Sequence, residues 1–103
     1  MKRRTVLLAP EAEADLAVIY DYVAQAASPQ VAGAYLERVE AFVRGFETAA
    51  ERGTTRDDVR PGLRIVGFER RITVAFVVED QRVTILRLFY GGQDWASALD
   101  QDV

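Results

Sequence analysis

Apolar residues recur along this chain with two different periods, and the change falls near Gly53. Before it, Leu16, Ile19, Tyr20, Val23 and Ala27 return at three- and four-residue steps, which predicts a helix with one apolar face. Pro10 stands where a first helical turn tolerates it, and Glu11, Glu13 and Asp15 suit the positive end of the helix dipole. Ser28 as cap and Pro29 at the first position predict a second helix with the stripe Ala32, Tyr35, Val39, Phe42, Phe46 and Ala49. Arg52 is expected in its last turn and Gly53 at its stop. The short joint between the helices makes them an antiparallel hairpin. "TVLL", Thr5 to Leu8, is a strand ahead of it.

After Gly53 the polar loop "TTRDDVRPG" leads into three strand-like runs, "LRIVGF", "RITVAFVV" and "RVTILRLFY". Ile72, Val74, Phe76 and Val78 share a face by alternation. "EDQ", Glu79 to Gln81, is a hairpin turn. "FERR", Phe68 to Arg71, must also turn tightly, yet offers no Asn-Gly or Asp-Gly, which leaves its register open. The last run is apolar on both faces, with Val83, Ile85 and Phe89 on one and Leu86 and Leu88 on the other, as expected of an internal strand. The predicted order is β-α-α-β-β-β: an α+β fold, with a helical hairpin packed on one face of a small, mostly antiparallel sheet.

Composition narrows the chemistry. The chain has 103 residues, half of them apolar, which predicts one domain with its core over about residues 5–95 and a tail at 96–103. It holds neither cysteine nor histidine, so disulfides, thiolate nucleophiles, Cys/His zinc sites and the usual base near neutral pH are out. No cofactor is implied. The net charge of -3 argues against a diffuse DNA-coating surface. "VLLA" is too short for a signal-peptide core and no run suits a membrane span, which predicts a cytoplasmic protein without a membrane partner.

The arginines are the polar feature of interest. Arg52, Arg56, Arg60, Arg64, Arg70 and Arg71 stand against Asp57, Asp58 and Glu69, so this segment is locally +3 while the rest totals -6. It reads either as a solvated loop or as a set of planar forks for phosphate or an acidic partner. Arg64 is expected opposite Leu63 and Ile65. Arg87 interrupts the last apolar run, so it either pairs with an acid of the helical hairpin or tail, or lines a partner-facing surface. Gly91 and Gly92 end that strand, and Trp95 is expected to pack back as a plug or to serve recognition. Acid-base cleavage of RNA would have only Tyr90, Glu69 and the arginines to draw on, a weak catalytic set.

"APEAEADLAVIYDYVA", "SPQVAGAYLERVEAFVRGFETAAERG" and "RPGLRIVGFERRITVAFVVEDQRVTILRLFYGGQDW" together resemble the ParE toxins of the RelE/ParE superfamily, over Val6 to Trp95. The resemblance implies the toxin of a type II toxin–antitoxin pair. The ParE branch poisons DNA gyrase, and the RelE branch cuts mRNA in the ribosome. Arg64 matches the sheet arginine that both branches tend to carry, and Arg87 takes the family's "ILR" position. The tail "GGQDWASALDQDV" is acidic, without the basic, tyrosine-bearing segment of the nuclease branch, which favours gyrase. Where the family has histidine or arginine near "HGRQD", this chain has Tyr90, Gly91 and Gly92. The implied partners are a ParD-like antitoxin in a hetero-oligomer, DNA gyrase, and operator DNA only through the antitoxin. Candidate contacts to target or antitoxin are Arg60, Arg64, Arg70, Arg87, Tyr90 and Trp95, with no catalytic residue. The alternatives are a RelE-type ribosome-dependent mRNA endonuclease and a non-toxic relic that only binds antitoxin.

Overall fold

The computed structural model describes residues 2–91 together with Ala96 and Leu99. Its elements are β1 (Thr5–Leu8), α1 (Pro10–Ala26), α2 (Pro29–Arg44), a 3-10 turn (Gly45–Glu47), β2 (Thr54–Thr55), β3 (Leu63–Phe68), β4 (Ile72–Val78) and β5 (Arg82–Tyr90). The sheet runs β1-β5-β4-β3-β2, with β1 parallel to β5 and every other pair antiparallel. The helical hairpin packs on one face, as the periods predict. The last run is internal, held between β1 and β4.

The helix starts follow their sequence signals. Pro10 and Pro29 open α1 and α2, and the Ser28 hydroxyl accepts from the Val31 amide at 3.1 Å. The end of α2 departs from expectation. The helix stops at Arg44 and tightens into the 3-10 turn, so the apolar phase slips by one residue: Ala50 is buried and Ala49 exposed. Arg52 lies beyond the helix, its guanidinium 4.8 Å from the Phe46 ring centroid and 5.2 Å from that of Phe42. Gly53 is no helix stop. At φ +76 it carries the chain into β2, and a Cβ there would sit 2.1 Å from the Ile65 carbonyl oxygen. Thr54 and Thr55, expected in loop, pair with Ile65 and Arg64. On α1 the buried face is Ala12, Ile19 and Val23 with Leu16 partly covered, whereas Tyr20 and Ala27 are exposed.

The main core lies between helices and sheet. Ile72, Val74 and Phe76 share its face as predicted, and Phe46 meets Phe76 at 4.7 Å between ring centroids. Each fully buried Phe, Ile or Leu contributes roughly 1.5–3 kcal/mol against the entropy of ordering the chain. A second cluster on the opposite sheet face joins Leu63, Ala75, Phe89 and Leu99, so a residue from the expected tail is buried there.

One irregularity redirects β5. Ala75 pairs with Arg87 but Phe76 pairs with Ile85, leaving Leu86 as an extra residue in a β-bulge. The alternation flips across it. Val83, Ile85 and Leu88 face the helices, while Leu86 and Phe89 join the second cluster. The predicted grouping of Phe89 with Val83 and Ile85 is therefore corrected, and Arg87 leaves their face with it.

Candidate functional site

The bulge and the shortness of β1 place Arg87. β1 pairs with β5 only as far as Ile85, so the edge of β5 beyond it is open to the first turns of α1. Asp15 fills that gap. Its carboxylate accepts from Arg87 Nε at 2.8 Å and Nη2 at 3.1 Å, and from the Leu88 amide at 2.8 Å. The guanidinium also lies 4.7 Å from the Phe89 ring centroid. Arg87 thus pairs with an acid of the helical hairpin, as one of its readings expects. Asp15 itself, read from sequence only as a helix-dipole residue, joins α1 to β5.

The other candidates are dispersed. Arg60 closes a turn, its carbonyl accepting from the Leu63 amide, and it borders a cavity of about 250 Å³ with Arg87, Glu11, Leu86 and Leu99. Arg64, opposite Leu63 and Ile65 as predicted, is on the helix-side face, and its Nη1 donates to the Arg52 carbonyl at 3.2 Å. It borders a separate cavity of about 390 Å³ with Arg4, Glu51, Asp57, Glu79 and Asp80. Arg70 is exposed at the tip of the β3–β4 hairpin. Tyr90 ends β5 against Tyr22 and Tyr35, at 5.3 and 6.3 Å between ring centroids. Trp95 lies outside the described residues. The fold thus brings Arg60 and Arg87 to one cavity and leaves Arg64, Arg70 and Tyr90 apart from them.

The perturbed groups of the chain are not tuned as proton carriers near neutral pH. Hydrogen bonds from Arg38, Arg56 and Lys2 hold the carboxyls of Glu69, Asp58 and Asp80 below the usual range. Burial pushes the Tyr35 phenol above its ordinary value, and the nearby Tyr90 and Glu69 add to it, which is the wrong direction for a base. Among the described residues no group of three or more acids could hold a metal ion, and no helix is long and apolar enough to cross a membrane.

Residues 6–95 match the family model described as the ParE toxin of the type II toxin-antitoxin system, parDE. The chain belongs to this family. A search of curated proteins finds no match. Among solved structures this ParE-family chain is similar to one from the chromosomal ParDE TA system of P. aeruginosa, at 26% identity and a TM-score of 0.75, covering 86% of this chain and 97% of that one. The family-model match spans β1 to the stretch after β5, the same extent as the resemblance carried by the sequence motifs. Sequence reading passed over two parts of the ParE surface, the Asp15 clamp and the aromatic group of Tyr22, Tyr35 and Tyr90. Tyr22 lies off the buried stripe of α1 with Val18 one turn before it, which is the signal that marks an exposed apolar strip.

Proposed function

We propose that this ParE-family toxin acts by binding DNA gyrase and holding it on DNA, without chemistry of its own, and that a ParD-like antitoxin neutralises it. The observation that carries the reading is the family match over residues 6–95, from β1 to the stretch after β5. Two features support the binding mode. The arginines expected to act on RNA are dispersed, with Arg87 engaged by Asp15, and the carboxyls of Glu69, Asp58 and Asp80 are held low by their basic partners, away from general-acid use.

The antitoxin has two surfaces suited to it. The helical hairpin exposes Val18 at 67%, Tyr22 at 59% and Val31 at 50%, an apolar strip for an amphipathic helix. β1 is an edge strand, and extended chain can add beside it. The cytoplasm, where gyrase and its DNA lie, is the compartment this reading requires.

The test is to incubate antitoxin-free protein with gyrase, ATP and supercoiled plasmid, then add detergent and protease. Linear plasmid that needs both proteins is the expected result. Unbroken DNA, with folded toxin and gyrase from the native host, sinks the gyrase reading and turns attention to mRNA in the ribosome or to a relic.

A further inference from the structure

The joint of the two helices and the β3–β4 hairpin border a cavity of about 360 Å³ that opens beside the apolar strip of the helical hairpin. Tyr35 and Val23, 6% and 9% exposed, form its interior together with Tyr90, and the exposed Tyr22 and Val31 stand at its mouth. The Tyr35 hydroxyl is buried without a hydrogen-bond partner. Orphaned polar groups of this kind are rare in native interiors, because a hydroxyl taken from water keeps its need for an acceptor.

In the free chain the lining supplies none. Glu69 is the carboxylate at hand, and it is held by Arg38 Nε at 2.9 Å and Nη2 at 3.2 Å. Arg71 lines the same cavity from an exposed position and forms no ion pair among the described residues. Two arginines against one glutamate leave the cavity one surplus positive charge. Its unanswered groups, a phenolic O–H and a guanidinium, are both donors. The walls are apolar and the rim is charged, the anatomy of a pocket that anchors one side chain of a protein partner.

We propose that this cavity seats an apolar side chain of the antitoxin's docking segment, with a neighbouring carboxylate that pairs with Arg71 and accepts from the Tyr35 hydroxyl. The inference rests on the antitoxin reading above and adds the place and chemistry of the anchor. The hydroxyl is closed to solvent in the free chain, so the carboxylate reaches it through a side-chain rearrangement at the cavity mouth on binding.

The experiment is calorimetric titration of the antitoxin encoded beside this chain into wild type, Tyr35→Phe and Arg71→Ala, with a thermal melt of each free protein. Tyr35→Phe removes a hydroxyl that bonds nothing in the free chain, so its Tm holds or rises while binding weakens about 10-fold. Arg71→Ala, at an exposed position, keeps its Tm and also weakens binding about 10-fold. Wild-type affinity in both variants overturns the anchor and leaves the antitoxin reading standing. Failure of the wild-type chain to bind overturns both. Titration of single-stranded RNA that binds wild type and weakens in both variants, while antitoxin affinity holds, assigns the cavity to base stacking and overturns the protein anchor.

Discussion

Asp15 answers three donors at once, two from Arg87 and one from the Leu88 amide, across a separation of more than seventy residues in sequence. Removing the carboxylate takes two hydrogen bonds from a partly buried guanidinium and the acceptor from the Leu88 amide together. Asp15→Ala is expected to cost about 3 kcal/mol by urea denaturation, near the low end for a broken buried pair because the two side chains keep 15% and 22% exposure. Asp15→Asn keeps an acceptor for the amide and loses less; equal losses would mean that the neutral acceptor restores nothing and the charge carries the interaction. The same pairing governs how Arg87 is tested for function, since Arg87→Ala reports on folding before it reports on a target. Tyr35 makes the other prediction at this scale. Burial raises its pKa above 10.0, so the phenol is neutral in both states below that pH and contributes no pH dependence there. Above it the unfolded chain ionises first, and stability falls as pH climbs toward the folded value. Melts across that window should drop more steeply for wild type than for Tyr35→Phe, and parallel curves would contradict the assignment.

The β3–β4 hairpin turns through Glu69 and Arg70, at φ 48 and 60, a left-handed pair that natural hairpins usually fill with Asn-Gly. Neither residue adopts this region cheaply; the cost is roughly 1–2 kcal/mol per residue. Glu69 has a reason to be there in its bonds to Arg38. Among the described residues Arg70 makes no such contact, and Arg70→Gly is expected to stabilise the chain by about 0.5–1 kcal/mol, the relief being partly offset by the entropy of a freer unfolded chain. A loss of stability in denaturant melts would show that Arg70 is held by something other than the turn. If the variant is more stable yet less toxic, Arg70 belongs to the target-facing surface. This hairpin also shows what the sequence could and could not convey. The helical hairpin was legible because Pro29, Ser28 and a three-to-four-residue stripe all agree, and the strands were legible from alternation. The bulge at Leu86 was not, since one extra residue leaves the composition of an apolar run unchanged while reversing every side chain after it. The slip after Arg44 escaped for a related reason: a 3-10 turn needs no signal residue and shifts the phase from Ala49 to Ala50. The candidate site was legible as residue types but not as a place, because only the fold decides that Arg60 and Arg87 share a cavity while Arg64 lines another.

At the scale of the whole molecule, the two sheet edges are managed differently. β2 is two residues long and offers little backbone to a passing strand. β1 is twice that length, with Leu7 43% exposed. The hydrogen bonds around β1 show which amides are taken. Thr5 and Ala9 donate to β5-side carbonyls of Gln81 and Ile85, whereas Arg4 donates the other way, to Glu47. Alternation along a strand then points the amides of Val6 and Leu8 away from β5. If the antitoxin's extended segment adds beside β1, these two amides gain partners that the free toxin lacks. Amide hydrogen exchange should therefore find Val6 and Leu8 weakly protected in the free chain and strongly protected in the complex, with Thr5 and Leu7 protected in both. A complex at saturation that leaves Val6 and Leu8 exchanging as before would confine the antitoxin to the helical hairpin. Because those amides lie on the far side of β1 from the sheet, their protection cannot arise from a general tightening of the β1–β5 ladder, and so it reports the added strand directly.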